Sequence, residues 1–511
     1  MSLYHEASAV LSQPASEGGG SLKSRIYGKK DLKSPPAQLY ALALETCKWS
    51  GLLKEVIEAS GILQLERKLT PVLSLLLVHD FLLSKGGIAL PQSHGLRASI
   101  ERHKARLNSE FTRARLRRKL ASVEALRAQV EAESRTGPVH PRWIRINTLK
   151  TTLRDQLETT FAGFEAVSSV RDILAGAERA ICLDPNVPDL VALSPGTDFT
   201  KTDAYRSGAI ILQDKASCFP ALLLDPASLD GGDVVDSCAA PGNKTTHLAA
   251  LVSGSSSSSS SSGGDGAAGN PPRPRKIFAF EKDKARAATL ERMVQLAGAD
   301  HLVRVGGGQD FLKVDPKSDA YRGVRALLLD PSCSGSGIVG RDEMPELHLP
   351  DLAGAAAAAA TDNRKRKRTD DSTAKPEAGV LVDDDGEPVA VSSGPELRAR
   401  IDALAAFQLG LVLHALSFPA AERVVYSTCS VHARENEEVV LAALRSDVAR
   451  RRGWRVRRRA EQVPGMRDWP VRGDVGACGG DEAVAGACIR TYKDDGRGVM
   501  GFFVVAFVRD V

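Results

Sequence analysis

Two cysteines, each closing a strand-like run, are the residues best placed for covalent chemistry: Cys333 in LLLDPSCSGSG and Cys429 in RVVYSTCSVHARENEE. The thiolate form is the nucleophile, and two thiols can divide opposite jobs, one attacking a pyrimidine ring and one releasing it. Upstream, VVDSCAAPGNKTTHLAAL reads as a strand ending near Asp236, a tight turn through Pro241 and Gly242, and a helix starting around Lys244. Free amide hydrogens at a helix start can meet the polar groups of a ligand. The turn lacks the GxGxxG dinucleotide spacing, and a strand, small-residue turn and helix recur in many α/β loops. The following strand, in IFAFEKDKAR, ends in Glu281, where a carboxylate can bond two ribose hydroxyls of an adenosine-bearing ligand. Asp310, in GGGQDF after a third strand, can accept from an adenine amino group; a surface-turn aspartate accounts for it equally well.

These residues need a rigid frame. From Lys215 onward, runs rich in Val, Ile and Leu (DVVD, KIFAFE, VRVGG, RALLLD, RVVYSTC and GFFVVAFV) alternate with helical patterns. That alternation implies an α/β, doubly wound, Rossmann-like domain whose ligands sit at the carboxyl ends of parallel strands. The last apolar run suits an antiparallel edge. At 511 residues the chain exceeds what one core organises. A helical domain is expected over residues 1–135, a small α/β module over 136–212 and the Rossmann-like domain over 213–511. Two inserts interrupt the last: residues 253–275, with the serine run Ser255 to Ser262, and residues 341–394, with an alanine run, the basic stretch Arg364 to Arg368 and the acidic DDDGE. Their composition forms no core and reads as loop.

A net charge of +5 is mild, but basic runs stand out locally. One holds Arg102, Lys104, Arg106, Arg113, Arg115, Arg117, Arg118 and Lys119; another is RRRGWRVRRR around Trp454. Each can grip phosphates, and Trp454 can stack on a base; solvated surface arginines are the competing reading. Eight cysteines without CxxC or CxxH pairs argue against a zinc site and a disulfide framework, so no metal is expected. The start lacks a basic region followed by an apolar core, and no apolar run reaches the roughly 18 to 20 residues a bilayer span needs. A soluble protein in a reducing compartment is expected.

The segments CAAPGNKTTHLAAL, DPSCSGSG, YSTCSVHARENEE, QDKASCFP and GFFVVAF resemble the Sun-domain RNA cytosine-5 methyltransferases, and their spelling is closest to the ribosomal RNA subtype. The similarity runs from about Arg142 onward outside the inserts, and more weakly through the N-terminal helices. The resemblance implies S-adenosyl-L-methionine as cofactor, touched by Cys238, Ala239, Ala240, Pro241, Gly242, Asn243, Lys244, Glu281, Arg286, Asp310 and Asp330. It also implies that residues 136–212 bind RNA. The chemistry independently wants two thiols: carbon 5 of cytosine is too weak a nucleophile until a thiolate adds at carbon 6, and its hydrogen must afterwards leave to a base so that β-elimination frees the enzyme. By resemblance Cys429 attacks and Cys333 assists release, with Asp330 holding or protonating ring nitrogen 3. In DNA cytosine methyltransferases the nucleophile follows a proline as in DPSC, so the roles can be exchanged. Lys215 and Lys244 can supply charge that lowers a thiol pKa. The expected partner is RNA, most naturally large-subunit ribosomal RNA or a pre-ribosome, met by a monomer away from membranes in the nucleus and nucleolus, for which Arg364 to Arg368 suits an import signal. A non-catalytic RNA-binding assembly factor is the alternative, disfavoured because a binding module needs neither thiol. A methyltransferase acting on proteins or small molecules would need neither the cysteine pair nor a basic surface.

Overall fold

The computed structural model describes residues 2–13, 22–27, 32–133, 140–258 except 178, 196 and 230, then 275–338, 346–351, 380–382, 388–390 and 394–509 except 494. Most of both inserts, including Arg364 to Arg368, lies outside them. The chain forms two compact units, one of Met1–Gly137 with Gly340–Leu397 and one of Pro138–Val339 with Arg398–Val511.

The first unit is helical, as its apolar periodicity requires. Pro36 opens the helix Pro36–Ser60, which stops at Gly61 in the left-handed region at φ +63. Thr70 then caps the helix Pro71–Leu83 by accepting from the Leu73 amide. Their buried faces share a core with Leu39, Leu53, Ile57, Leu76 and Ile100. The basic run falls largely on the helix Lys104–Arg117, and much of it is neutralised within the fold. Glu66 takes Arg102 and His103, Glu55 takes Arg117 and Arg118, and Glu110 takes Arg113.

The second unit begins with a five-stranded sheet ordered β2-β3-β4-β1-β5, comprising β1 (Arg142–Ile146), β2 (Glu165–Ala166), β3 (Ala180–Leu183), β4 (Leu190–Leu193) and β5 (Ile210–Leu212). Ile144, Ile146, Val191 and Leu193 pack with Phe161 and Phe199 on one face. Arg145 projects from the other, fully buried, and donates to Gln213 at 2.7 Å and to Thr246 at 2.9 Å. It thereby ties this module to the first turn of the helix Asn243–Ser258.

The larger sheet contains β6 (Asp233–Asp236), β7 (Ile277–Glu281), β8 (Val303–Gly307), β9 (Val324–Leu329), β12 (Arg423–Thr428), β13 (Arg455–Val456), β14 (Ile489–Thr491) and β15 (Phe502–Val508). Strands β10 (Val380–Val382) and β11 (Pro388–Ala390) form a separate hairpin in the first unit. The order is β13-β15-β12-β9-β6-β7-β8, parallel from β12 to β8. Strand order reverses between β6 and β9, the switch point where doubly wound sheets open a crevice for ligands.

β15 is antiparallel to β12, but it is not the edge that its position in the sequence suggests, because β13 and β14 both pair along its other side. Its burial explains this. All seven residues of FFVVAFV are buried, with Phe502, Val504 and Ala506 in one core and Phe503, Val505 and Phe507 in the other. A strand apolar on both faces belongs inside a covered sheet.

The helix Gly394–Leu416 contains a stretch long and apolar enough to cross a membrane by length and composition, which the sequence reading had not found. Its Ala405, Leu411, Val412 and Ala415 pack into the sheet core instead.

Phe503→Ala tests the interior placement of β15. A fully buried phenylalanine should lose about 3–5 kcal/mol on truncation, read as a lower urea midpoint at unchanged slope. A loss within about 0.5 kcal/mol would mark the strand as peripheral.

Candidate active site

The carboxyl ends of β6, β7, β9 and β12 carry the residues singled out by their chemistry. Beyond β6, the turn 237–242 leads into the helix Asn243–Ser258. Gly242 sits at φ +110, and a Cβ there would come 3.0 Å from Met293 Cβ, so both the turn and the close helix packing require glycine. Asp236, at the strand end, accepts from Thr245 Oγ1 at 2.7 Å through Oδ2, while its buried Oδ1 has no partner among the described residues. Burial, with the nearby charge of Asp330, pushes the Asp236 carboxyl up to about 7.

Glu281 ends β7 almost wholly buried. Its Oε1 accepts from the Asp283 amide at 3.0 Å, and Arg286 lies 3.4 Å from its Oε2 while also reaching the carbonyl of Ala240. One arginine thus connects the β7 carboxylate to the turn after β6. Asp310, beyond β8, caps a short turn by accepting from the Leu312 amide at 3.1 Å. The Cys238 thiol is pushed up to about 12 by burial and lines the turn as a neutral group. Cys238, Ala239, Ala240, Pro241, Gly242, Asn243, Lys244, Glu281 and Arg286 therefore form one continuous wall, and the orphaned Asp236 oxygen, the helix start and the terminal carboxylate of β7 suit a nucleoside ligand bearing an ammonium group.

β9 and β12 run parallel with Leu329 opposite Tyr426, so Asp330, Cys333 and Cys429 leave neighbouring strands at the same end. The two sulfurs lie 3.1 Å apart, Cys333 buried and Cys429 partly exposed. Gly337 allows the two loops to meet. Its amide donates to the Cys429 carbonyl at 2.9 Å, and a Cβ there would lie 2.3 Å from the Gly501 oxygen. Lys244 Nζ bonds Asp330 Oδ2 at 2.7 Å and Ser217 Oγ at 2.9 Å, over the ring of Phe502. Ser427 donates to the other oxygen of Asp330 at 2.6 Å. Burial alone would pull Lys244 down, but Asp330, then Cys429 and Asp236, hold its ammonium above the ordinary lysine value.

The surroundings of the two thiols differ. The hydrogen bond to Cys429, then burial, then the charges of Cys429 and Glu435 push Cys333 well above the ordinary cysteine value. Cys333 therefore keeps its proton and donates it toward Cys429, which has the Lys244 ammonium in its field.

Lys215 does not join them. It pairs with Asp184 at 2.5 Å and lies 5.5 Å from the Trp143 ring and 4.9 Å from the Trp469 ring, where it braces the module interface. Nor does the arginine run around Trp454 form a stacking platform. Trp454 is buried with its Nε1 on the Leu416 carbonyl, and Arg452 and Arg457 are spent on carbonyls and on Asp225. Sequence reasoning missed Ser217, Ser427, Gln408 and Glu435. The last was visible in ENEE downstream of Cys429, whereas Gln408 follows the long insert and gave no signal.

Fold and site together define a Rossmann-like methyltransferase. The description "NOL1/NOP2/Sun domain family member 5, N-terminal domain" matches residues 37–126, and the ferredoxin-like domain of the same member matches residues 140–213. The 25S rRNA (cytosine-C(5))-methyltransferase rcm1 of Schizosaccharomyces pombe is 36% identical, across 99% of this chain and 90% of its own length. The 28S rRNA (cytosine-C(5))-methyltransferase of Mus musculus is 34% identical, across 100% of this chain and 91% of its own. A crystal structure of a methyltransferase homologue from Pyrococcus horikoshii aligns at 20% identity and TM-score 0.46, covering 75% of this chain and 89% of that one. The chain belongs to the NOL1/NOP2/Sun domain family.

Two predictions follow from the site's electrostatics. Iodoacetamide near neutral pH should label Cys429 well ahead of Cys333 in peptide mass spectrometry, because Cys333 is buried and its thiol is held well above the ordinary cysteine value; equal labelling or the reverse order contradicts that difference. Because the Asp236 value is raised on folding, its contribution to stability is fully present below pH 3.8 and is lost as pH rises through about 7. Asp236→Asn should flatten the decline of the urea midpoint over that window, and an unchanged slope would show that the carboxylate is already charged in the fold.

Proposed function

We propose that this protein transfers a methyl group from S-adenosyl-L-methionine to carbon 5 of a cytosine in large-subunit ribosomal RNA, through a covalent bond between Cys429 and the base. The observation carrying the reading is the pair of thiols 3.1 Å apart, one buried, the other partly exposed and in the field of the partly buried Lys244. Support for the substrate comes from relatives named for 25S and 28S rRNA that match nearly the whole chain. The cofactor, when bound along the turn after β6 and the end of β7, supplies an electrophilic methyl group.

The protein's own groups do the rest. Asp330, fixed by Lys244 and Ser427, holds the base edge at nitrogen 3. The Cys429 sulfur adds to carbon 6, and its electron pair becomes the new C–S bond. Carbon 5, now part of an enamine, takes the methyl group. Bond formation also removes the negative charge of Cys429, and with it the leading reason for Cys333 to hold its proton. Cys333 then releases its proton to solvent, and the resulting thiolate is the base at the step that needs one, taking the hydrogen that must leave carbon 5. Loss of that proton returns electrons to the ring, and the C–S bond breaks with its pair going back to Cys429.

We read the protein as a monomer meeting pre-ribosomal RNA in the nucleolus; the basic stretch Arg364 to Arg368 supports nuclear import. Labelled cofactor with total RNA, followed by mapping of the modified base, tests the activity, and label on protein or small molecules instead of RNA would overturn it. Cys333→Ala should accumulate a denaturation-resistant RNA adduct and lose turnover by about 10²–10⁴-fold, the range for a lost acid–base group. Cys429→Ala should show neither adduct nor product. The opposite pattern would exchange the two roles.

A further inference from the structure

The motif after Cys429 contains more than the thiol requires. Residues 435–437 all turn back toward the Cys429 loop. Asn436 accepts from Thr428 and donates to the Ser430 carbonyl at 2.9 Å. Glu437 forms a buried pair with Arg490, whose Nη1 donates to the Val431 carbonyl at 3.0 Å. Both brace the Cys429 side alone. Glu435 differs, because its single carboxylate reaches both thiol loops. Oε1 accepts from the amide of Ser334, next to Cys333, at 2.9 Å, and Oε2 accepts from Ser430 Oγ, next to Cys429, at 2.6 Å.

The carboxylate is fully buried, and its bonded partners are neutral donors, Gln408 Nε2 at 3.0 Å completing the set. A buried carboxyl group is costly to keep away from water, and among the described residues its donors come from both thiol loops and Gln408, which argues for a task beyond packing. Ser334, Ser336 and Ser430 extend the latch, with Ser334 Oγ donating to Ser430 Oγ at 3.0 Å and Ser336 Oγ accepting from the Val431 amide at 3.1 Å. Glu435 is the common terminus of this hydroxyl cluster, and its grip on the Ser334 amide fixes the residue immediately after Cys333.

We propose that Glu435 is a positioning residue that locks the Cys333 and Cys429 loops together and so sets the sulfur–sulfur distance for addition and release. The inference rests on the proposed division of labour between the two thiols. Its test uses a distance readout that needs no RNA. Diamide oxidises two adjacent thiols, whose hydrogens pass to its N=N bond as the S–S bond forms, and mass spectrometry identifies the linked peptides. In the full-length protein, Glu435→Gln should slow Cys333–Cys429 linking about tenfold and cut single-turnover methyl transfer about 100-fold, the loss expected for a displacement of about 1 Å, while cofactor affinity holds within about twofold. Ser430→Ala, which frees only the Cys429 side, should slow linking in the same direction if Glu435→Gln fails to fold.

Wild-type linking rates in a folded Glu435→Gln protein, or in Ser430→Ala, would overturn the assignment even if activity fell. So would equal slowing at Cys478 and Cys488, a second bonded thiol pair that Glu435 does not touch, because that would mark a general loosening. If the wild-type protein methylated no cytosine while linking still depended on Glu435, the proposed reaction would fail and the positioning role would stand.

Discussion

Parallel pairing of β9 with β12, with Leu329 opposite Tyr426, is the constraint on which the active site depends. It delivers two cysteines 96 residues apart to a separation of 3.1 Å. A slip of one residue would exchange the faces of every side chain in the moving strand and separate the loops. The register is secured from both faces, since Leu327 and Leu329 lie in one apolar core and Leu328 in the other, while Val424 and Tyr426 oppose Val425 in the same way. β15 then covers the outer side of β12, so the strand leading to Cys429 is held between two neighbours.

Once the sulfurs are adjacent, their inequality follows from what surrounds each. Cys333 is buried and lies near a second negative charge, whereas Cys429 is partly open and shares the field of Lys244. Lys244 itself comes from the helix that begins the ligand turn. The cation in the field of the sulfur and the turn after β6 are therefore parts of one element, and Asp330 links that element to the strand bearing Cys333.

Much of this was legible in the sequence because parallel strands buried on both faces read as continuous apolar runs, and because ligand residues in such sheets follow directly after them. Glu281, Cys333 and Cys429 each stand at the close of a strand-like run, while Asp330 came with the family resemblance. What stayed hidden was long-range pairing. Nothing local distinguishes Lys215, which is absorbed by Asp184 between two tryptophans, from Lys244, which reaches the site. The arginines around Trp454 illustrate the same limit, because composition reports charge and cannot report that carbonyls at element ends consume it. The interior place of β15 was missed for a related reason: two short partners, β13 and β14, carry little strand signal of their own.

Strand register also separates chemistry from chain length. The two cysteines are positioned by adjacent rungs of one ladder, so the connection between them, leaving after Gly337 and returning along the helix Gly394–Leu416, can drift in size and composition without moving either sulfur. Loop closure grows only slowly more unfavourable as such a segment lengthens. The alanine run, basic cluster and acidic stretch all lie within that connection, away from the paired rungs that space the two sulfurs.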